Sequence, residues 1–407
     1  MEPIEEPPGE SLEHKKFRSI RHYLPIKKTY PADYFIPKED PLFPLFEFLY
    51  KRNHELYKKL PKRKNGDESF LHPLNLLYSL RRAQMKDPID YCIAISHDYI
   101  EELVSLYEKE NNLKDDQRAI KILDGYEDEV FETFEQELED FCKKNNIKNF
   151  NCAVDTIVKT IKVLTRHKRH YYYKSLSAIF NYPDADIKRR AITVKLADAI
   201  HNLHTINSFD AERQLYTGFK GLFILNNAKK YLLEQYGEKS FSTNEFPPVR
   251  RLFSKCCKAT FDALLRICII NKDKGIIDIL YILQLAFKKY VYIQSGLVAV
   301  TDLDPKEIHP MKLYQGVILK YDNRLHQEWE KYNERRNLEL KYCKNFFKDL
   351  NFSDKEFLAI MDYKDAYAMR EVVARLLYQP DFYISRFICS ELSARGRIKR
   401  NLAKNGL

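Results

Sequence analysis

Four residues of this chain are metal-ligand types set in segments otherwise suited to burial. His97 and Asp98 follow the apolar run Tyr91-Cys92-Ile93-Ala94-Ile95-Ser96. His72 stands before Pro73, well upstream, and Asp198 lies far downstream in Val194-Lys195-Leu196-Ala197-Asp198-Ala199-Ile200-His201-Asn202-Leu203. A carboxylate among apolar neighbours is costly unless it is paired or metal-bound. Two imidazoles and two carboxylates make a mixed N/O set that suits Mn²⁺, Fe²⁺, Co²⁺ or Zn²⁺ and leaves positions for water and substrate. Glu101 and Glu102 follow the His-Asp pair; on a helix His97 shares a face with Glu101, and Asp98 with Glu102. Asp198 and Asn202 are likewise four apart, and His201 falls on a neighbouring face where it can support a ligand. The run Lys62-Arg63-Lys64, a few residues before His72, offers cations to an anionic substrate, and arginine can also stack on a base. The chemistry implied is metal-assisted attack of water on a phosphoryl group.

Helices must position these side chains. Glycine is scarce, at 11 residues, and no phosphate-cradling glycine motif occurs. Leu74, Leu77 and Tyr78 after His72, the face Val154, Ile157, Val158, Ile161 and Leu164, and the inward row Ile192, Leu196, Ala199 and Leu203 all recur at helical spacing. The segment 120–145 predicts an acidic amphipathic helix. Residues 1–44 are proline-rich and read as an extended arm, lying against the body through Tyr23, Leu24, Phe35 and Ile36. Residues 45–237 form the domain that holds the site. Residues 238–407, after a polar linker, form a second helical domain of unassigned role, with a possible short strand within 290–300 and a basic tail within 395–404. The fold class expected is all-α: a helical bundle followed by a second helical domain.

The formal net charge of +10, from 68 basic and 58 acidic residues, suits an anionic ligand. Arg166-His167-Lys168-Arg169-His170-Tyr171-Tyr172-Tyr173 resembles a nucleic-acid stripe, but beside the presumed pocket it can serve phosphates, so nucleic acid is not the expected partner. The 8 cysteines contain no CxxC pair and read as reduced thiols. The N-terminus is acidic rather than signal-like, and the most apolar stretch, 276–287, is too short to span a bilayer. A soluble cytoplasmic protein without a membrane partner is expected.

The order H…HD…D resembles the HD superfamily, and more closely the hydrolase domain of RelA/SpoT enzymes and small alarmone hydrolases. The resemblance spans roughly residues 50–207 in four blocks. Arg63-Lys64-Asn65-Gly66-Asp67-Glu68-Ser69-Phe70-Leu71-His72-Pro73 is similar to the family's lead-in, and His97-Asp98 to its central pair. Val163-Leu164-Thr165-Arg166 is similar to its KLT segment, and Lys195 to Leu203 to its KLADRLHNM signature. It implies an HD bundle that hydrolyses guanosine tetra- and pentaphosphate, (p)ppGpp, releasing pyrophosphate from the 3′ position with Mn²⁺. His72, His97, Asp98 and Asp198 would hold the metal, and Glu101 and Glu102 would orient or deprotonate the water. Arg63 and Lys64 would embrace the guanine, and Asn202 would lie near the ribose and metal. Glu102 stands where the family has aspartate, and Ala199 where many members have a cation. Past Thr205 the match fades; Arg213, Tyr216 and Lys220 remain as further phosphate or base contacts. Two other functions are consistent with these residues. One is an HD phosphohydrolase for a dNTP, ppApp or NADPH; the other is a catalytically silent nucleotide sensor whose C-terminal domain binds a protein or nucleic acid. A homo-oligomer through that domain is consistent with either.

Overall fold

The structure, a computed structural model, describes residues 24–113, 117–148, 150–166, 172–241, 246–274 and 310–387, with Phe17 and Ile20. Among these the fold is all-α, with no strand. The possible strand within 290–300, the basic tail, Tyr23 and most of the Arg166–Tyr173 stripe lie outside the described residues.

Helix starts follow local chemistry. The proline-rich arm ends where Pro44 opens α1 (Phe43–Lys58). In α2 (Leu71–Arg82), Pro73 occupies the first turn, where a missing N–H breaks no helical bond, and His72 sits in the same turn. Asp87 caps α3 (Pro88–Ser96) by accepting from the Ile89 amide. The amphipathic α4 (Tyr99–Glu110) follows directly, and the acidic segment forms α5 (Gln117–Lys144). Then come α6 (Phe150–Leu164), the short α7 (Tyr172–Phe180), α8 (Ala185–His204, capped by Asp184) and α9 (Ala211–Tyr236, capped by Asp210).

Gly237, at φ 66°, ends α9. α10 (Pro248–Lys272) then packs on α8 and α9, and its longest contact is with α13 (Asp354–Tyr378). α11 (Pro310–Leu325) and α12 (Trp329–Phe346) close the C-terminal part. Gly218 and Gly221 let α9 approach its neighbours closely: a Cβ on Gly218 would meet Leu264 Cδ2 at 2.8 Å. One continuous apolar core runs from Phe17 to Phe387, so the helices after residue 238 share the core of those before it.

Two charge networks fasten this core. Arg190 reaches from α8 to Asp90 (2.8 Å) and Asp87 (2.7 Å) in and beside α3, and Arg189 adds a second contact to Asp90 (3.2 Å). Asp90 is fully buried, so these guanidiniums satisfy a carboxylate that would otherwise be stranded. They also lock the helix that leads into His97 to the helix that carries Asp198. In the C-terminal part, Lys320 and Lys364 alternate with Glu339 and Asp365 in a buried square joining α11, α12 and α13.

The N-terminal arm does lie on the body. Phe35 and Ile36 are buried as expected, and Asn75 fixes the backbone at Ile26. Leu24 does not join them and is 73% exposed, because the anchoring contact falls two residues later, at Ile26. No helix among the described residues is long and apolar enough to cross a membrane.

Candidate metal centre

The His-Asp pair sits at a corner, not inside a helix. α3 ends at Ser96 and α4 begins at Tyr99, with Asp98 at φ −103°, ψ 2° between them. The sequence favoured a continuous helix in which His97 shares a face with Glu101, and Asp98 with Glu102. The chain turns instead because α3 is buried from Asp90 to Ser96 whereas α4 is amphipathic, so α4 must leave the core at an angle.

His72 from α2, the corner pair and Asp198 from α8 converge. His72 Nε2 lies 3.2 Å from Asp98 Oδ2, 3.5 Å from Asp198 Oδ1 and 3.2 Å from His97 Nε2. His97 Nε2 is 3.0 Å from Asp98 Oδ2. Donor atoms of His72, His97 and Asp198 all lie within 4.8 Å of one another, and the three residues are buried. The Asp98 side chain is 29% exposed and forms the open edge. An ion bound at about 2.1 Å from each ligand separates neighbouring ligands by about 3.0 to 3.4 Å, which is the spacing found here. The residues therefore fit a divalent ion.

The protonation states of His72, Asp98 and Asp198 agree with that use, whereas His97 must give up a proton to bind. Burial, reinforced by Arg63, pushes the His72 imidazole down to about 4, so it is neutral at physiological pH. Burial would also lower His97, but Asp98 outweighs it and leaves that ring raised. Burial opposes ionisation of both aspartates, yet His97 and His72 hold Asp98 well below the usual carboxylate range, and Lys195 with His72 lowers Asp198. Neutral imidazole and ionised carboxylate are the forms that ligate metals.

Neighbouring groups aim the ligands. His97 Nδ1 lies 2.9 Å from the carbonyl of Ala94. A carbonyl only accepts, so a hydrogen is on Nδ1 and Nε2 is the nitrogen turned to the centre. Lys195 donates to Asp198 Oδ2 at 2.8 Å and Asn202 to Oδ1 at 2.6 Å. Asn202 in turn accepts from Arg63 Nη2 at 3.2 Å, which ties the basic lead-in to the metal-side helix across 139 residues of chain.

Glu101 accepts the backbone N–H of Arg166 at 2.6 Å. Burial and then Asp98 push its carboxyl up to about 7. The same two causes, in that order, raise Glu102, with Arg63 opposing them. Both glutamates belong to the first turn of α4, beside the pair.

A cavity of about 210 Å³ opens next to Asp198, with Arg63, Tyr172, Asn202, Phe209, Arg213 and Lys220 in its wall. Ala199 also lines it. Lys64 lies over the Phe209 ring at 5.6 Å and Arg213 at 4.2 Å, so this ring has two cations near it. Of the basic residues nominated from sequence, Arg63, Arg213 and Lys220 line the wall, and Lys64 does not but lies near Phe209. Sequence reasoning missed Lys195, Phe209 and the Arg189–Arg190 clasp. Lys195 had a readable signal, being three residues before Asp198 on a helix; Phe209 had none. No family model, curated protein or solved structure matches this chain.

Proposed function

We propose that this chain is an HD-type, Mn²⁺-dependent phosphohydrolase that removes pyrophosphate from the 3′ position of guanosine tetra- or pentaphosphate. The observation that carries the proposal is the convergence of His72, His97, Asp98 and Asp198 beside a cavity walled by Arg63, Arg213 and Lys220. A divalent ion held by those four residues supplies charge for the phosphoryl oxygens and eases deprotonation of water. Glu101, poised near neutrality and fixed through Arg166, is the group to take that proton. Arg63, anchored on Asn202, places a cation between the metal side and the nucleotide. Phosphoryl transfer depends mainly on positioning and electrostatic stabilisation, and this wall offers both.

A second reading keeps the chemistry and changes the nucleotide to a dNTP, ppApp or NADPH. Ala199 favours it, because that part of the cavity wall presents a methyl group where a cation would grip a further phosphate.

Purified protein with Mn²⁺, given ppGpp, dGTP, ppApp and NADPH in parallel, tests both. Pyrophosphate release from ppGpp, abolished in a His97→Ala/Asp98→Ala variant, is the expected result. Glu101→Gln should retain Mn²⁺ and lose turnover. Turnover of another nucleotide but not ppGpp would overturn the substrate; failure to retain a divalent ion would overturn the reaction class.

A further inference from the structure

One side chain of α11 meets the face of α9 that adjoins the cavity. Along α9, Glu212, Tyr216 and Lys220 recur every four residues and share a face. Arg213, Thr217, Lys220 and Gly221 line the cavity, so Lys220 belongs to both rows. Among the described residues Lys220 has no carboxylate partner. Its ammonium instead rests near two rings, 4.9 Å from Tyr172 and 5.1 Å from Tyr216.

Tyr216 carries a second cation. Arg324, from α11, places its guanidinium 4.3 Å from the centre of that ring and donates to Glu212 at 3.0 Å. Trp329 and Tyr332 of α12 each stand 5.3 Å from the same guanidinium. The Tyr332 hydroxyl (3.5 Å) and Arg336 (3.7 Å) also approach Glu212. Nearby, His326 packs on Tyr173 at 4.3 Å, next to the cavity residue Tyr172. α11 and α12 thus hold α9 at Glu212 and Tyr216, and His326 between them packs on α7.

We infer that Arg324 is a positioning residue for anion binding: by clamping Glu212 and Tyr216 it holds the ring that steadies Lys220 in the cavity wall. The inference rests on reading this cavity as the site of the substrate's phosphates. Burial, and then the charge of Lys195, push Lys220 down to about 8 against the opposing charge of Asp198, and an incoming phosphate would favour its charged form.

The test uses full-length protein, isothermal titration with inorganic pyrophosphate with and without Mn²⁺, and steady-state kinetics on ppGpp. Loss of one enclosed cation–ring contact should weaken pyrophosphate about fivefold in Arg324→Ala. KM should rise in step, with kcat and Mn²⁺ content held. Arg324→Lys, which keeps a cation on Glu212 and Tyr216, should recover most of the affinity. Lys220→Met should lose pyrophosphate affinity with Arg324 intact. Unchanged affinity in Arg324→Ala, an Arg324→Lys variant as weak as the alanine, or a Lys220→Met variant that binds normally would each overturn the inference. If the alanine variant does not fold, the lysine and methionine variants decide it. Arg324-dependent pyrophosphate binding without any ppGpp turnover would support the inference while removing the proposed substrate.

Discussion

His201 and His72 face each other through Nδ1 atoms 2.8 Å apart, although they lie on different helices. Burial lowers both, so both rings are neutral and a single hydrogen lies between the two nitrogens. For His72 to present its Nε2 lone pair to a metal, that hydrogen must sit on His72 Nδ1, with His201 as acceptor. His201 therefore sets the tautomer of a ligand.

Replacing His201 by alanine should weaken Mn²⁺ about 10- to 100-fold while leaving the ligand set intact. Competition titration against a fluorescent chelator measures this. Wild-type affinity in the variant would show that His72 needs no such partner.

Asn202 bonds Asp198 on one side and Arg63 on the other. Asn202→Ala should therefore raise KM for ppGpp and weaken Mn²⁺ together, each by about tenfold. A change in one without the other would separate the two roles and refute a shared bridge.

The buried square of Lys320, Lys364, Glu339 and Asp365 balances two charges of each sign. Lys320→Met would leave a carboxylate uncompensated in the interior, at a cost of about 3–5 kcal/mol. Urea unfolding should show this as a large drop in midpoint. A loss below about 1 kcal/mol would mean that water or rearrangement satisfies the remaining charges.

Lys229 is fully buried, and its amine donates to the carbonyls of Leu376 and Gln379, each at 3.0 Å, near the end of α13. Burial first, and Arg250 second, lower it from 10.5 to about 7. Between those values the unfolded chain holds a proton that the folded chain has released, so stability from this group rises with pH. It is fully present above the unfolded value and gone below about 7. Subtracting the unfolding free energy of Lys229→Met from that of the wild type at pH 7, 8 and 9 isolates it. The difference should grow in favour of the wild type, by at most about 1.4 kcal/mol per pH unit. A flat difference would mean that Lys229 stays charged in the fold.

The sequence by itself determined the helical class and singled out the four candidate ligands, because both are carried by local patterns. Apolar residues recur at helical spacing, and His72, His97, Asp98 and Asp198 sit in segments too apolar for unpaired polar groups. Only tertiary structure decided that these ligands meet. Their approach depends on long-range contacts such as the Arg189–Arg190 clasp on Asp90, which no spacing along the chain encodes. The corner at His97-Asp98, the His201 partnership and the Phe209 wall are likewise products of packing. The same holds for α11 and α12: their role was illegible in sequence because Arg324 acquires meaning only where it meets Glu212 and Tyr216 of α9.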